Sequence, residues 1–360
     1  MKAAVCYEFG KPLVVEDVEI DPPKAGEVMV RVRACSICHS DVHLIRGDWG
    51  NEPPLVAGHE AAGTVEQTGP GVTRLHAGDR VVVTLIRSCG ACYFCTIGRP
   101  FNCEGTFALQ SESRLRNRDG VPLAHGLKTA AFAEYCIVDQ SQVVRVPDDL
   151  SMECASLLAC GVITGVGSVT NTAKVEARSR VAVIGAGGVG VNAIQGAVLS
   201  GASMIIAVDV LDEKLESSRR FGATHTIDAR AGDVVEKVRA LTGGRGVDYA
   251  FATVGSPAAI GQAIDMVHTG GTTVVVGMPP EEEAVFSVDV HHLTCGRQIM
   301  GSNMGSTRLL VDVPRLVDLY REGRLKLDEL ITGRYPLAQI NAAIDAMARG
   351  EALRNVITFD

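Results

Sequence analysis

Four cysteines lie close together in the segment CGACYFCTIGRPFNC, spaced C-x2-C-x2-C-x7-C. They are Cys89, Cys92, Cys95 and Cys103. Nearby glycine and proline residues indicate a loop. Four thiolates around one tetrahedral ion form a closed, structural zinc site, whereas a redox dithiol would use only two of them. We therefore predict a structural zinc here, with no open position for a substrate, so the chemistry must lie elsewhere.

A second group of possible metal ligands precedes that loop, in CSICHSDVH and GHEAAG. It comprises Cys38, His39, Asp41, His43, His59 and Glu60. Cys38 and His59 would begin a mixed-ligand site, and a catalytic zinc needs three protein ligands and one open position. Cys160, in LACGVITG, could be the third, and Asp41 could orient a ligating histidine. A lone cysteine or histidine is more often packed than ligating, so spacing alone leaves this set open.

A glycine-rich turn lies in RVAVIGAGGVGVNAIQGAVLSGASMIIAVDV. Gly185, Gly187 and Gly190 fit G-x-G-x-x-G between an apolar strand and a helix-like segment. These glycines permit a tight turn, close approach of a pyrophosphate and close helix–strand packing. Asp209 ends the next strand, where a carboxylate accepts hydrogen bonds from ribose hydroxyls and repels a 2′-phosphate. The pattern predicts NAD binding in preference to NADP.

These residues require two kinds of scaffold. Beyond the glycine motif, strand-like ATHTID, GVDYAFATV, GTTVVVG and RQIMGS alternate with helix-like stretches at 232–242 and 257–268. Such alternation predicts an α/β domain with a parallel, doubly wound sheet. The first 160 residues instead contain short strand-like segments such as EVMVRVRA and DRVVVTL, which predict a largely antiparallel β domain.

Composition excludes several classes of function. The 360-residue chain has a net charge of −8, so it has no basic surplus for nucleic acid or an anionic membrane. Its first residues lack a signal-peptide core and no apolar run would span a bilayer, which favours the cytoplasm. Reduced cysteines are expected there. The remaining thiols are predicted to lie in the core: Cys6, Cys35, Cys136, Cys154 and Cys295.

Together these motifs resemble the zinc-dependent medium-chain alcohol dehydrogenases, of the long-loop, class III-like type. The resemblance covers nearly the whole chain and combines C-H-S-D, G-H-E, the four-cysteine loop and the glycine motif in one order. It implies a GroES-like β-rich catalytic domain over 1–161, with a zinc lobe at 87–104. It also implies a Rossmann NAD-binding domain over 162–303 and a return to the catalytic domain over 304–360. The active site is expected between the two domains.

The resemblance also implies roles for single residues. Cys38, His59 and Cys160 match the catalytic zinc ligands, and Asp41 and Glu60 match acids behind them. Ser40 and His43 match a proton relay that runs through the nicotinamide ribose and removes the alcohol proton. The resemblance implies that a hydride then passes from the alcohol carbon to NAD. The expected coenzyme contacts are His39, Thr164, Gly185, Gly187, Gly188, Val189, Gly190, Asp209, Lys214, Met278 and Arg354.

The expected substrate is a small-molecule alcohol or aldehyde, most simply a primary apolar or aromatic alcohol. The expected pocket residues are Trp49, Leu85, Ile86, Phe107, Met278 and Asn303. Class III relatives that act on glutathione adducts carry arginine where this chain has Phe107. Arg114, Arg116 and Arg118 could supply an anion site instead, although a solvated charged loop is the simpler interpretation.

Other functions on this scaffold remain alternatives. A polyol or sugar dehydrogenase commonly uses glutamate in place of Cys160, and a quinone reductase would lack both zinc sets. An NAD-sensing binding protein would not need the full set of Cys38, Ser40, His43, His59 and Cys160. The resemblance further implies two zinc ions per subunit and a homodimer, with a tetramer as the alternative.

Overall fold

Two compact units make up the chain. The computed structural model describes residues 1–50 and 52–360. Unit 1 comprises Met1–Cys160 and Arg308–Asp360, and unit 2 comprises Gly161–Thr307. Unit 2 is therefore an insertion in the sequence of unit 1. The predicted coenzyme domain, 162–303, falls within unit 2.

The strands are numbered in chain order. They are β1 Lys2–Cys6, β2 Val14–Asp17, β3 Glu19–Ile20, β4 Glu27–Ser36, β5 Leu55–Val56, β6 Glu60–Thr68, β7 Arg80–Val83, β8 Leu115–Arg116, β9 Pro122–His125, β10 Tyr135–Asp139, β11 Val143–Arg145, β12 Arg180–Ile184, β13 Met204–Asp209, β14 His225–Asp228, β15 Val247–Ala252, β16 Val267–Val275, β17 Gln298–Gly301, β18 Ile331–Pro336 and β19 Arg354–Thr358.

The α-helices are numbered in the same way, and short 3-10 turns and a π-helical turn at Ser168–Ala173 connect some elements. The helices are α1 His39–Arg46, α2 Tyr93–Thr96, α3 Met152–Leu157, α4 Gly161–Gly167, α5 Gly188–Leu199, α6 Asp212–Arg220, α7 Val234–Leu241, α8 Pro257–Met266, α9 Val290–Thr294, α10 Leu309–Arg321 and α11 Ile340–Ala348.

Unit 1 is built on two sheets. One has the order β2-β1-β5-β9-β8-β3, and the other β11-β7-β6-β4-β19-β18 with β10 also paired to β4. Most neighbours in them are antiparallel, while β5–β9 and β18–β19 are parallel. Apolar residues such as Val28, Val30 and Val32 alternate along β4 and are buried in the core. This is the β-rich domain that the sequence predicts.

Unit 2 contains a parallel sheet in the order β14-β13-β12-β15-β16-β17. Every pairing in it is parallel, and helices follow most strands. The order reverses beside β12, the arrangement of a doubly wound dinucleotide-binding sheet. Buried residues along β12 and β13, such as Val183 and Ile206, explain why these strands are nearly continuous apolar runs. The predicted α/β fold is confirmed.

Two sequence-based expectations differ in detail. Cys295 is exposed just beyond the short helix α9, so the prediction that it lies in the core is wrong, although Cys6, Cys35, Cys136 and Cys154 are buried. The helix expected at 257–268 ends at Met266, because the chain passes directly into β16. Among the described residues, no helix combines the length and the apolar character needed to cross a bilayer.

Candidate functional site

Adjacent strands bring Cys38 and His59 together. In the antiparallel pair β4–β6, Ser36 lies opposite Glu60. Cys38 follows the end of β4 by two residues, and His59 immediately precedes β6. Because the end of one strand and the start of its antiparallel neighbour meet at the same edge, the thiol and the imidazole converge. His59 is completely buried and Cys38 is 6% exposed.

Cys160 reaches the same place from the end of the first segment of unit 1. Helix α3 packs against both β4 and β6, and Cys160 lies three residues beyond its end. The ligand atoms of Cys38, His59, Glu60 and Cys160 all lie within 4.8 Å of one another. The structure thus brings together the three predicted ligands, with Glu60 beside them.

Asp41 holds the two ligand-bearing loops. Its Oδ2 accepts a hydrogen bond from the backbone N–H of Cys38 at 3.0 Å, and its Oδ1 accepts one from Gly58 at 2.9 Å. The same Oδ1 lies 2.9 Å from His59 Nδ1. This contact assigns the proton of neutral His59 to Nδ1 and leaves the lone pair on Nε2.

The donor set fits a zinc ion. His59 Nε2 is buried without a hydrogen-bond partner among the described residues, which is the condition of an atom that ligates a cation. Hydrogen bonding with Cys160 and the nearby imidazole lower the pKa of the Cys38 thiol well below its usual range, although burial opposes them. Burial by itself would lower the pKa of His59. The Asp41 carboxylate outweighs this effect and raises the pKa of His59 well above its usual value. The site therefore favours a thiolate at Cys38 and positive charge next to it, which a bound metal ion would supply.

Glu60 and Arg354 form a buried pair behind these ligands. Arg354 Nη1 lies 3.0 Å from Glu60 Oε1 and also donates to the carbonyl of Ile37. Burial raises the pKa of Glu60 to about 8 despite this partner. The pairing of β19 with β4 places Arg354 here, since Val356 lies opposite Ser36. Arg354 is only 4% exposed. Its expected contact with the coenzyme pyrophosphate stays a prediction.

Helix α1 carries His39, Ser40 and His43. His39 is exposed, while Ser40 and His43 are half-buried. His43 Nδ1 lies 2.6 Å from Asp48 Oδ2, and the His43 ring stacks on Trp49 with 5.0 Å between centroids. The sequence interpretation missed Asp48. A signal was present in HLIRGDWG, where glycine can end a helix and turn the following carboxylate back towards it.

The four loop cysteines also converge, with ligand atoms within 4.8 Å of one another. Backbone N–H groups of Cys89 and Gly105 donate to Cys103 Sγ at 3.2 and 3.3 Å, and the N–H of Cys92 donates to Cys89 Sγ at 3.3 Å. Backbone hydrogen bonds lower the pKa of Cys92 to about 6. A side chain at Gly105 would meet Cys89 Cβ at 2.6 Å. This cluster fits a structural zinc bound by four thiolates.

In unit 2, the glycine motif forms a tight turn between β12 and α5. Gly185 has φ +91°, which favours glycine, and a Cβ there would lie 2.5 Å from Val254 Cγ1. A Cβ at Gly190 would lie 1.7 Å from the carbonyl oxygen of Gly185. Gly187 precedes α5, whose first turn contains Gly188 and Val189. The helix N-terminus and close backbone approach fit a pyrophosphate.

Asp209 lies beside this turn. Its Oδ2 accepts from the N–H of Ala186 at 2.7 Å, and its Oδ1 accepts from Leu211 at 3.0 Å. A Cβ on Gly187 would lie 4.0 Å from Lys214 Nζ, so the lysine is also close to the turn. Thr164 is buried in α4, where its Oγ1 lies 3.8 Å from Met304 Sδ. Asp209 and Lys214 therefore lie beside the glycine turn at the carboxyl end of β12.

The expected substrate-pocket residues fall in both units. Trp49, Leu85, Ile86 and Phe107 belong to unit 1, whereas Met278 and Asn303 belong to unit 2 and are exposed. Ile86 is buried, and the Arg87 guanidinium lies 5.5 Å from the centre of the Phe107 ring.

The arginines after the lobe are largely engaged elsewhere. Arg114 is 1% exposed, and its guanidinium binds both carboxylate oxygens of Glu27 at 2.6 and 2.9 Å. Arg118 pairs with Asp17, and Arg116 is exposed on β8. The buried pair with Glu27 neutralises the Arg114 guanidinium, which disfavours the hypothesis that Arg114 forms an anion site.

Known proteins resemble this chain along its whole length. Residues 24–148 match the family "Alcohol dehydrogenase GroES-like domain", and residues 188–322 match "Zinc-binding dehydrogenase". An alcohol dehydrogenase class-3 of Cereibacter sphaeroides is 37% identical over 374 aligned positions, covering 99% of each chain. An NDMA-dependent alcohol dehydrogenase of Amycolatopsis methanolica is 38% identical and covers 99% of this chain and 98% of its own. The crystal structure of benzyl alcohol dehydrogenase from Acinetobacter calcoaceticus has a TM-score of 0.93 at 32% identity, covering 100% of this chain and 99% of that chain.

Proposed function

The chain belongs to the zinc-dependent medium-chain alcohol dehydrogenases, and we propose that it oxidises primary apolar or aromatic alcohols reversibly, with NAD as hydride acceptor. The observation that carries this proposal is the convergence of Cys38, His59 and Cys160, where the buried Nε2 of the histidine has no hydrogen-bond partner within residues 1–50 and 52–360. Three such ligands leave one position of a tetrahedral ion for the substrate.

The roles of the chain's own residues follow from their positions. Cys38, His59 and Cys160 would hold the catalytic zinc, which supplies a Lewis acid for the substrate oxygen. Asp41 orients His59. The buried Glu60–Arg354 ion pair places a carboxylate and a guanidinium next to the ligands and so contributes to the electrostatic potential at the metal site. Cys89, Cys92, Cys95 and Cys103 would hold the structural zinc.

Two residues of α1 handle the proton. The Ser40 hydroxyl is placed two residues after Cys38 and would contact the substrate oxygen. His43 would accept the released proton and pass it to solvent, because its half-buried ring borders both the protein interior and water.

Unit 2 would hold the coenzyme, which supplies the hydride acceptor. Gly185, Gly187 and Gly190 allow the backbone to approach its pyrophosphate. Asp209 supports the choice of NAD over NADP, since its carboxylate would accept from the ribose hydroxyls and repel a 2′-phosphate. His39, Thr164, Gly188, Val189, Lys214, Met278 and Arg354 remain proposed coenzyme contacts.

The substrate assignment rests on apolar pocket candidates such as Trp49 and Phe107. A relative of 36% identity is named S-(hydroxymethyl)glutathione dehydrogenase, which makes a thiol adduct the second candidate. The engagement of Arg114 by Glu27 weighs against it. We also propose a homodimer, which sedimentation would distinguish from a tetramer.

The test is NADH formation by the purified protein with alcohols from ethanol to benzyl alcohol, with and without a zinc chelator. We expect kcat/KM to rise with apolar size and the chelator to abolish turnover. S-(hydroxymethyl)glutathione and NADP form comparison arms, and NDMA is included as an alternative acceptor. Oxidation of the glutathione adduct alone would overturn the substrate assignment, and chelator-resistant turnover would overturn the role of zinc.

A further inference from the structure

The His43 ring is fixed on two sides. At its edge, Nδ1 lies 2.6 Å from Asp48 Oδ2, and on its face Trp49 stacks at an interplanar angle of 25°. The side chains of His43 and Asp48 are only 22% and 25% exposed. A charge-assisted contact of this length between half-buried groups is stronger than one in open solvent.

The turn that ends α1 creates this arrangement. Gly47 has φ +85°, and a Cβ there would lie 2.7 Å from the Phe9 ring. The following N–H, from Asp48, donates to the carbonyl oxygen of His43 at 3.0 Å. The chain therefore folds back over the last helical turn, and the carboxylate of Asp48 returns to the side chain five residues before it.

We propose that Asp48 is a positioning residue for the proton relay, and that it fixes His43 in the tautomer with hydrogen on Nδ1. This inference rests on the proposed role of His43. In that tautomer Nε2 carries the lone pair and is the proton acceptor.

The proton balance is simple. Nε2 of neutral His43 gains one proton while the Nδ1–H bond to Asp48 is kept, so the ring becomes a cation beside a carboxylate. Release of the Nε2 proton to water restores the neutral ring. The Asp48 carboxylate takes up no proton in these steps and affects only the orientation and charge balance of the histidine.

A double-mutant cycle with benzyl alcohol and NAD tests the proposal. Asp48→Asn keeps the shape but removes the charge, and we expect kcat to fall about tenfold while the KM for the alcohol changes less than about twofold. Asp48→Glu should recover part of the rate. In a His43→Gln background, Asp48→Asn should cause no further loss, because its effect is transmitted through the histidine.

Asp79→Asn is the matched control, since Asp79 also accompanies a histidine in unit 1, with His76 Nδ1 3.9 Å from its Oδ2. Its rates should equal those of the wild type. Equal additional losses from Asp48→Asn in the wild-type and His43→Gln backgrounds would overturn the proposal, because they would show a role independent of His43.

A second readout does not depend on turnover. In ¹⁵N-histidine NMR spectra of the zinc-loaded protein, His43 should show the Nδ1–H tautomer, and Asp48→Asn should give a mixture. If the wild type oxidises no alcohol, the proposed function fails but this spectrum still decides the inference. An unchanged His43 tautomer in Asp48→Asn would overturn it.

Discussion

His59 and Asp41 face each other in the interior of unit 1, with His59 Nδ1 2.9 Å from Asp41 Oδ1 and neither side chain exposed to solvent. The same carboxylate accepts backbone hydrogen bonds from Cys38 and Gly58. One buried acid therefore sets the direction of the imidazole and the shape of both loops that carry metal ligands. The candidate catalytic site therefore depends on this acid in addition to the ligands.

Asp41→Asn should weaken zinc binding at the catalytic site by about 10–100-fold, because an amide is a weaker partner for His59 Nδ1 and can present the wrong atom. Competition with a chelator, followed by zinc counting, measures this change. The four loop cysteines, Cys89, Cys92, Cys95 and Cys103, should keep their zinc ion. Unchanged retention of both ions would contradict the role assigned to Asp41.

Cys38→Ser should reduce the zinc content from two ions per chain to one and abolish turnover, while NADH binding stays close to that of the wild type. The physical reason is that Cys38 belongs to unit 1 and the glycine motif to unit 2. Metal analysis and NADH fluorescence give the two readouts. A variant that turns over at the wild-type rate would disprove the zinc assignment.

Cys103→Ser should release the structural zinc and lower the melting temperature, because Cys103 Sγ accepts two backbone hydrogen bonds besides its proposed metal contact. Cys295→Ser is the control, since that thiol is exposed and lies outside both clusters. Calorimetry with zinc counting tests the pair. Equal melting temperatures for the two variants would contradict a structural role for the zinc ion at Cys103.

Gly190→Ala should abolish detectable NAD binding, because its Cβ would lie 1.7 Å from the carbonyl oxygen of Gly185 and would displace the turn. Gly261→Ala, in α8, is the matched control because a Cβ there meets nothing within 4 Å. The control should stabilise unit 2 by up to about 1 kcal/mol. Titration calorimetry with NAD separates the two variants, and normal binding by Gly190→Ala would contradict the assignment.

Asp209→Gly should reduce the preference for NAD over NADP by about tenfold or more, because it removes the charge that repels a 2′-phosphate. The ratio of kcat/KM for the two coenzymes measures the effect. Asp212→Asn is the control, since that exposed carboxylate pairs with Arg230. If the ratio for Asp209→Gly matches that of the wild type, Asp209 does not select the coenzyme.

The sequence by itself determined the features that depend on local spacing. The four cysteines of the lobe lie within fifteen residues, and the glycine turn lies between two apolar strands, so short stretches of chain fix their geometry. Alternating strand and helix patterns likewise predicted the parallel sheet of unit 2. The spacing of Cys38 and His59 indicates a metal site, whereas Cys160 is only a candidate third ligand until the family resemblance matches it to that role.

Tertiary structure decided the rest, because long-range packing is not visible in local patterns. Helix α3 brings Cys160 to β4 and β6, and strand β19 carries Arg354 to Glu60 across nearly the whole chain. Arg114 looked like a surface charge, yet Glu27 holds it in the interior. The turn at Gly47 that returns Asp48 to His43 has a local signal in the sequence, but the packing of Gly47 against Phe9, 38 residues earlier, is visible only in the structure.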